Sequence, residues 1–154
     1  GTWLDLGMGT KLAKGIFTHP GNPDIVHAFA YLPDLAEAFV IAAQQRKQFA
    51  RFEVINFEGH NVTTADLQAA TELALGRPLK RAYMPWTFIK VAGLFWPMGR
   101  EIARMAYLWD MPHQLKTEKF GKLLGDMPHT PLNVAMKKAL EDQGLIPMSQ
   151  AKAA

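Results

Sequence analysis

Residues 27–38 read His-Ala-Phe-Ala-Tyr-Leu-Pro-Asp-Leu-Ala-Glu-Ala, and the interpretation of the whole chain starts from this stretch. Its first half is apolar and aromatic, which predicts a short strand over residues 28–32. From Asp34 onward, apolar residues recur at helical spacing, which predicts a helix over residues 34–48. Asp34 is expected to cap that helix, with Glu37 completing a capping box. The stretch therefore predicts a strand that leads directly into a helix.

A second strand and helix follow this unit. Residues 52–57, Phe-Glu-Val-Ile-Asn-Phe, form the clearest strand pattern in the chain. Thr63 or Thr64 is expected to cap the next helix, which should stop at Gly76 because Pro78 follows. This segment repeats the order of a strand followed by a capped helix.

The remaining elements extend the pattern with more helices than strands. Further strands are predicted at residues 16–18 and 79–84, and further helices at residues 85–96, 100–109, 118–124 (capped by Thr117) and 131–144. The predicted fold class is α/β, a small mixed sheet with a helical excess. The length of 154 residues suits one domain, assigned to residues 1–147, with residues 148–154 as a flexible tail.

Charge and composition limit the classes of function. The formal net charge is +3, but the cations are spread along the chain and acids interleave with many of them. This favours a solvated mixed surface, with no nucleic acid and no membrane as partner. The longest apolar run, residues 88–98, is interrupted by Lys90 and Pro97, so it is too short to span a bilayer. There is no cysteine, hence no disulfide framework, and a cytoplasmic location is expected.

Three stretches, residues 27–38, 52–76 and 115–144, carry a family resemblance when they are taken in order. Together they resemble the C-terminal, substrate-binding part of an extended or atypical short-chain dehydrogenase/reductase of the NAD-dependent epimerase/dehydratase family. The resemblance implies that the fold is the C-terminal portion of an NAD(P)-binding Rossmann-type protein. It implies NAD or NADP as cofactor of the intact parent, a small-molecule substrate, and a nucleotide-binding N-terminal half as partner.

The catalytic and nucleotide-binding motifs of that family find no match in this chain. The nearest approach to a glycine fingerprint, residues 7–12, has Leu12 at the third glycine position. A catalytic Tyr is expected four residues before a Lys, but the three tyrosines, Tyr31, Tyr83 and Tyr107, precede Leu35, Thr87 and Met111 at that spacing. No catalytic, cofactor-binding or metal-binding residue is therefore predicted, and no cofactor is expected in this chain.

A segment rich in aromatic residues and methionine, residues 84–111, has two interpretations. Core packing at helical spacing is the simpler one. The resemblance instead implies an adaptable apolar wall over the substrate, to which Trp96, Tyr107 and Trp109 would contribute. The resemblance also implies that His27 and Phe29 border the substrate. The other histidines are interpreted as residues of ordinary surface loops.

The sequence thus predicts a substrate-binding fragment of an NAD(P)-dependent oxidoreductase or epimerase that is not catalytic alone. The alternative is a non-enzymatic interaction module that self-associates, for instance as a homodimer, through the apolar surface left by the missing half.

Overall fold

The computed structural model describes residues 4–116 and 118–148, which adopt a mixed α/β fold. The strands are β1 (Ile16–His19), β2 (Val26–Phe29), β3 (His60–Thr63) and β4 (Lys80–Tyr83). The α-helices are α1 (Leu32–Gln44), α2 (Thr64–Leu75), α3 (Trp86–Ala92), α4 (Pro97–Arg104), α5 (Glu118–Leu124) and α6 (Leu132–Asp142). The α/β class and the excess of helix are as predicted.

The strands form two small pairs within the described part of the chain. β1 and β4 pair in parallel, with Ile16 opposite Lys80. β2 and β3 pair antiparallel, with Val26 opposite Thr63. Sheets of two strands are marginally stable alone, so these pairs depend on the helices packed against them.

The main core lies where α2 and α6 pack together over β1 and the N-terminal turns. Phe17, Leu12 and Leu140 are fully buried there, and Met8 and Leu67 pack beside them. Burying a side chain of this size contributes about 1.5–3 kcal/mol, so this cluster is the main source of stability.

The N-terminal glycine pattern takes part in this core. Leu4–Met8 is a π-helical turn and Leu12–Lys14 is a 3-10 helix. This conformation differs from the strand, loop and helix of a dinucleotide fingerprint.

The predicted capping of α2 is confirmed. Thr63 is the N-cap, and its hydroxyl accepts a hydrogen bond from the backbone N–H of Asp66 at 3.0 Å. The Asp66 carboxylate accepts the backbone N–H of Thr63 in return, at 2.9 Å. Gly76 ends the helix in the left-handed conformation, with φ of 66°. The start and the end of α2 are determined by local interactions, which is why both could be predicted from the sequence.

The predicted cap of α1 by Asp34, with Glu37 completing a capping box, is wrong. The helix begins at Leu32 after Tyr31, with Pro33 in its first turn, so Asp34 lies within the helix instead of capping it. Pro suits the first turn of a helix because its missing N–H would have no partner there. The strand before it is also shifted, to Val26–Phe29.

The strand predicted at residues 52–57 is also wrong in this structure. These residues pair with no strand in the described ranges, and the strand that pairs with β2 is His60–Thr63 instead. Ile55 and Phe57 nevertheless face inward onto a second apolar cluster, formed by Ala38, Phe120 and Leu124. One side of the segment is packed on this cluster, but among the described residues the segment belongs to no sheet.

The simpler interpretation of residues 84–111, core packing, is wrong for most of the segment. The helices are shorter than predicted, α3 ending at Ala92, and Pro97 begins α4 instead of only breaking a helix. Several of the large apolar side chains are exposed: Phe88, Val91, Leu94, Phe95, Trp96, Met98, Met105, Tyr107 and Met111. Trp109 is the exception and is buried.

Helix α5 and the end of α6 agree with prediction, with Gly125 and Gly144 both at positive φ after the helices. The predicted cap Thr117 and tail residues 149–154 lie outside the described residues. In the part of the chain that the structure describes, no helix has the length and apolar character needed to cross a membrane.

Candidate functional site

A cleft of about 610 Å³ lies between the N-terminal turn, the connection from β2 to α1, and helix α6. Its wall is mainly apolar, and its polar groups come from five residues placed by four different segments. The lining side chains that matter below are Phe29, Tyr31, His60, Leu67, Met136 and Asp142. Its size and its apolar lining with few polar groups are typical of a small-molecule site.

His60 is the buried polar residue of this wall. Only 7% of its surface is exposed, and its Nε2 atom has no hydrogen-bond partner among the described residues. Burial lowers the pKa of His60, and the His129 ring 4.8 Å away lowers it further, while Asp34 acts in the opposite direction. The imidazole is therefore neutral at pH 7, and its Nε2 atom is left for a ligand or for a shift of the ring.

Tyr31 lies at the junction of β2 and α1, where the backbone leaves the strand to start the helix. Burial raises the pKa of the Tyr31 phenol, and the nearby carboxylates of Asp142 and Asp34 raise it further. The phenol consequently stays protonated at neutral pH and can donate a hydrogen bond to a ligand in the cleft.

One side of the cleft is held in place by Asp34. Its two carboxylate oxygens accept hydrogen bonds from the backbone N–H and the hydroxyl of Thr130, both at 2.6 Å. This joins the first turn of α1, which lines the cleft, to the loop that leads into α6. Such charge-assisted bonds are among the stronger contacts in a protein, so Asp34 positions the site.

An aromatic cluster lies behind Phe29. The His27 ring centroid is 5.1 Å from Trp109, 4.7 Å from His113 and 6.3 Å from Phe29. The two ring nitrogens of His27 lie 2.9 Å from the Ile25 carbonyl and 3.1 Å from the Leu108 carbonyl. The cluster fixes β2 against the 3-10 helix Ala106–Asp110.

The structure brings three of the five predicted substrate residues together, namely His27, Phe29 and Trp109. Of these, Phe29 lines the cleft, whereas His27 and Trp109 are buried behind it. Trp96 and Tyr107 are 51% and 60% exposed and line neither this cleft nor that cluster. Contact of any of the five with a ligand stays a prediction.

The interpretation of the other histidines as surface-loop residues is wrong for His19 and His60, which are buried in β1 and β3. Sequence reasoning therefore missed His60 and also Tyr31 and Asp142. The one sequence signal for His60 was that the polar residues 58–60 follow an apolar run. An ordinary turn has the same pattern, so the signal did not indicate a site. Among the described residues, no cluster of three or more His, Asp or Glu side chains forms a metal site.

The chain matches no protein-family model, and neither a curated protein nor a solved structure is significantly similar to it.

Proposed function

We propose that this chain is the substrate-binding part of an NAD(P)-dependent oxidoreductase or epimerase of the short-chain dehydrogenase/reductase family. In this proposal, NAD or NADP and the catalytic groups belong to a nucleotide-binding half outside these residues. The cofactor would carry the hydride chemistry, and this chain would hold a small apolar substrate. The observation that carries the proposal is the alternating, one-sided burial of residues 52–57.

Residues 52–57 have the exposure pattern of a strand that lacks a neighbour. Phe52 and Val54 face outward and are 81% and 59% exposed, while Ile55 and Phe57 face the apolar cluster beneath. Glu53 also faces inward and forms an ion pair with Lys119 of α5. This period of two is that of a β-strand. An apolar outer face on such a segment suits coverage by a further part of the protein.

The small sheets support the same proposal. Parallel strands occur almost only in sheets whose faces are both covered, yet β4 is mainly exposed. A nucleotide-binding half that supplied neighbouring strands would complete this arrangement. The cleft lined by Phe29, Tyr31 and His60 supports the substrate-binding role, because it offers an apolar surface with two neutral hydrogen-bonding groups.

Hydrogen–deuterium exchange tests the proposal, by comparing this chain with the protein encoded when upstream coding sequence is included. The amides of residues 52–57 should exchange quickly in the chain alone. They should be protected by about a hundredfold or more in the longer protein, because strand pairing buries them. The amides of α2 serve as the internal control.

A matched pair of variants sharpens the test. Val54→Lys should destabilise the longer protein, because the charge would be buried where the halves meet. Leu73→Lys, at an exposed position of α2, should leave it unchanged. Equal exchange of residues 52–57 in both proteins, together with a tolerated Val54→Lys, would contradict the proposal.

The same segment favours a second candidate function, an interaction module that self-associates. A segment that lies outside the described sheets and has an exposed apolar face can pair with its own copy in a second molecule. Light scattering of this chain would then show a dimer whose mass depends on concentration, and Val54→Lys would abolish it. A monomer at all concentrations would remove this candidate.

A further inference from the structure

Helices α3 and α4 form a hairpin that presents large apolar side chains to solvent. Phe88 and Val91 lie three residues apart and share one stripe of α3, and Phe95 follows in the turn after the helix. Phe95 is 90% exposed, and Leu94, Trp96 and Met98 beside it are exposed as well. The two helices approach closely at Gly93, where an added Cβ would lie 2.9 Å from the Arg100 backbone, and the Trp96 ring packs on Gly99. The apolar tip is therefore held in place by local packing.

The same hairpin and the strand before it carry a net positive charge. Residues 80–104 hold five cations and one acid, a formal charge of +4, whereas the whole chain of 17 cations and 14 acids carries +3. The five cations are Lys80, Arg81, Lys90, Arg100 and Arg104, and all are exposed. The one acid, Glu101, is already paired with Arg104 at 2.9 Å.

We infer that this hairpin, defined as residues 86–104, binds the surface of an anionic lipid bilayer. Leu94, Phe95 and Trp96 would enter the region between headgroups and acyl chains, while the flanking cations contact anionic headgroups. This mode of binding needs no membrane-spanning helix.

Charge favours a lipid surface over a second copy of this chain. A symmetric dimer brings the same patch of both molecules together, so it would place the formal charge of residues 86–104, three cations and one acid or +2, against another +2. Nucleic acid fits less well, because aliphatic side chains such as Val91, Leu94 and Met98 add nothing to base stacking. An acidic protein surface is the remaining alternative partner. The flotation experiment distinguishes it, because a chain that binds only proteins would not float with vesicles.

Flotation of this 154-residue chain with vesicles tests the inference. Vesicles of phosphatidylcholine alone are compared with vesicles that also contain about one third phosphatidylserine. The chain should float only with the anionic vesicles and should be released by salt. Phe95→Ser and Lys90→Glu should each weaken binding by about fivefold or more. The matched controls, Phe39→Ser and Lys47→Glu, change exposed residues elsewhere and should bind as the parent does.

Several outcomes would overturn the inference. These are absence of flotation with anionic vesicles, equal loss of binding in the control variants, or salt-dependent binding to an oligonucleotide in place of vesicles. Flotation that disappears in the longer protein would also overturn it, because the hairpin would then be covered by another part of the polypeptide. The exchange behaviour of residues 52–57 tests the proposed function separately, so either can fail without the other.

Discussion

The Nε2 atom of His19 lies 2.8 Å from the amide oxygen of Gln68, and this contact joins the interior of β1 to α2. The amide nitrogen of Gln68 donates to Glu72 at 2.7 Å and to the Leu79 carbonyl at 3.2 Å, which fixes the orientation of the amide. His19 therefore carries its hydrogen on Nε2. Its Nδ1 atom, 2.9 Å from the Thr64 hydroxyl, accepts a hydrogen bond when the ring is neutral.

Gln68→Ala tests the contribution of this network to stability. The substitution leaves the fully buried His19 without an acceptor, so the free energy of unfolding should fall by about 1–3 kcal/mol. Urea unfolding followed by circular dichroism measures it. Gln44→Ala, at an exposed position of α1, is the control and should change stability by less than about 0.5 kcal/mol. Equal effects of the two substitutions would contradict the assignment.

The two buried histidines predict how stability depends on pH. Burial lowers the pKa of both His19 and His60 below the ordinary value of 6.5. The unfolded chain therefore binds more protons than the folded one once the pH falls below 6.5, and stability decreases in that direction. The urea midpoint should be lower at about pH 5.5 than at about pH 7.5. Both pH values lie above the range where most carboxylates titrate, so the difference reports on the histidines.

Replacing one of these histidines assigns the pH effect. His60→Leu should reduce the dependence of the urea midpoint on pH, because one proton-binding group is removed. Gln44→Ala changes an exposed residue that carries no titratable group and should retain the full dependence. A midpoint that does not change between the two pH values would contradict the burial of neutral histidines.

The link between Asp34 and Thr130 predicts an energetic coupling between α1 and the loop before α6. Asp34→Asn and Thr130→Val should each destabilise the fold, and the double variant should lose less than the sum. The coupling should be about 1–2 kcal/mol, because both variants remove the same charge-assisted contact. A double-mutant cycle in urea measures it. Additive losses would show that the two residues act independently.

Two glycines should respond in opposite ways to alanine. Gly59 has φ of 60°, and an added Cβ would collide with the Phe29 carbonyl oxygen, so Gly59→Ala should cost about 2 kcal/mol or more. Gly121 lies within α5 with open space around it. Gly121→Ala should therefore stabilise the chain by about 0.5–1 kcal/mol. Thermal unfolding of both variants checks the pair, and shifts in the same direction would contradict the backbone assignment.

Local signals were predictable from the sequence because their causes are local. The Thr63 cap and the Gly76 end of α2 depend on a few adjacent residues. The predicted Asp34 cap is an equally local pattern but is wrong, because α1 starts earlier, at Leu32. The strand pattern of residues 52–57 failed because a strand also needs a partner, and the described residues supply none. Pairing information is distributed over the chain and is not contained in the alternation of one segment.

The candidate site was predicted only in part, for the same reason. Phe29 belongs to a strand whose position was nearly correct, and it lines the cleft. His60 lines the same cleft because β3 pairs with β2, a relationship that the sequence pattern did not indicate. Burial of His19 depends on Thr64 and Gln68, which lie 45 and 49 residues away. Trp96 is an apolar residue that the fold leaves at the surface, so its residue type alone was misleading.

Titration of NADH by fluorescence is the most direct test of the central claim, that this chain holds substrate while another half holds the nucleotide. The chain alone is compared with the longer protein that includes upstream coding sequence. The account predicts saturable binding by the longer protein and none by the chain alone. Saturable NADH binding by the chain alone, or no binding by the longer protein, would contradict it.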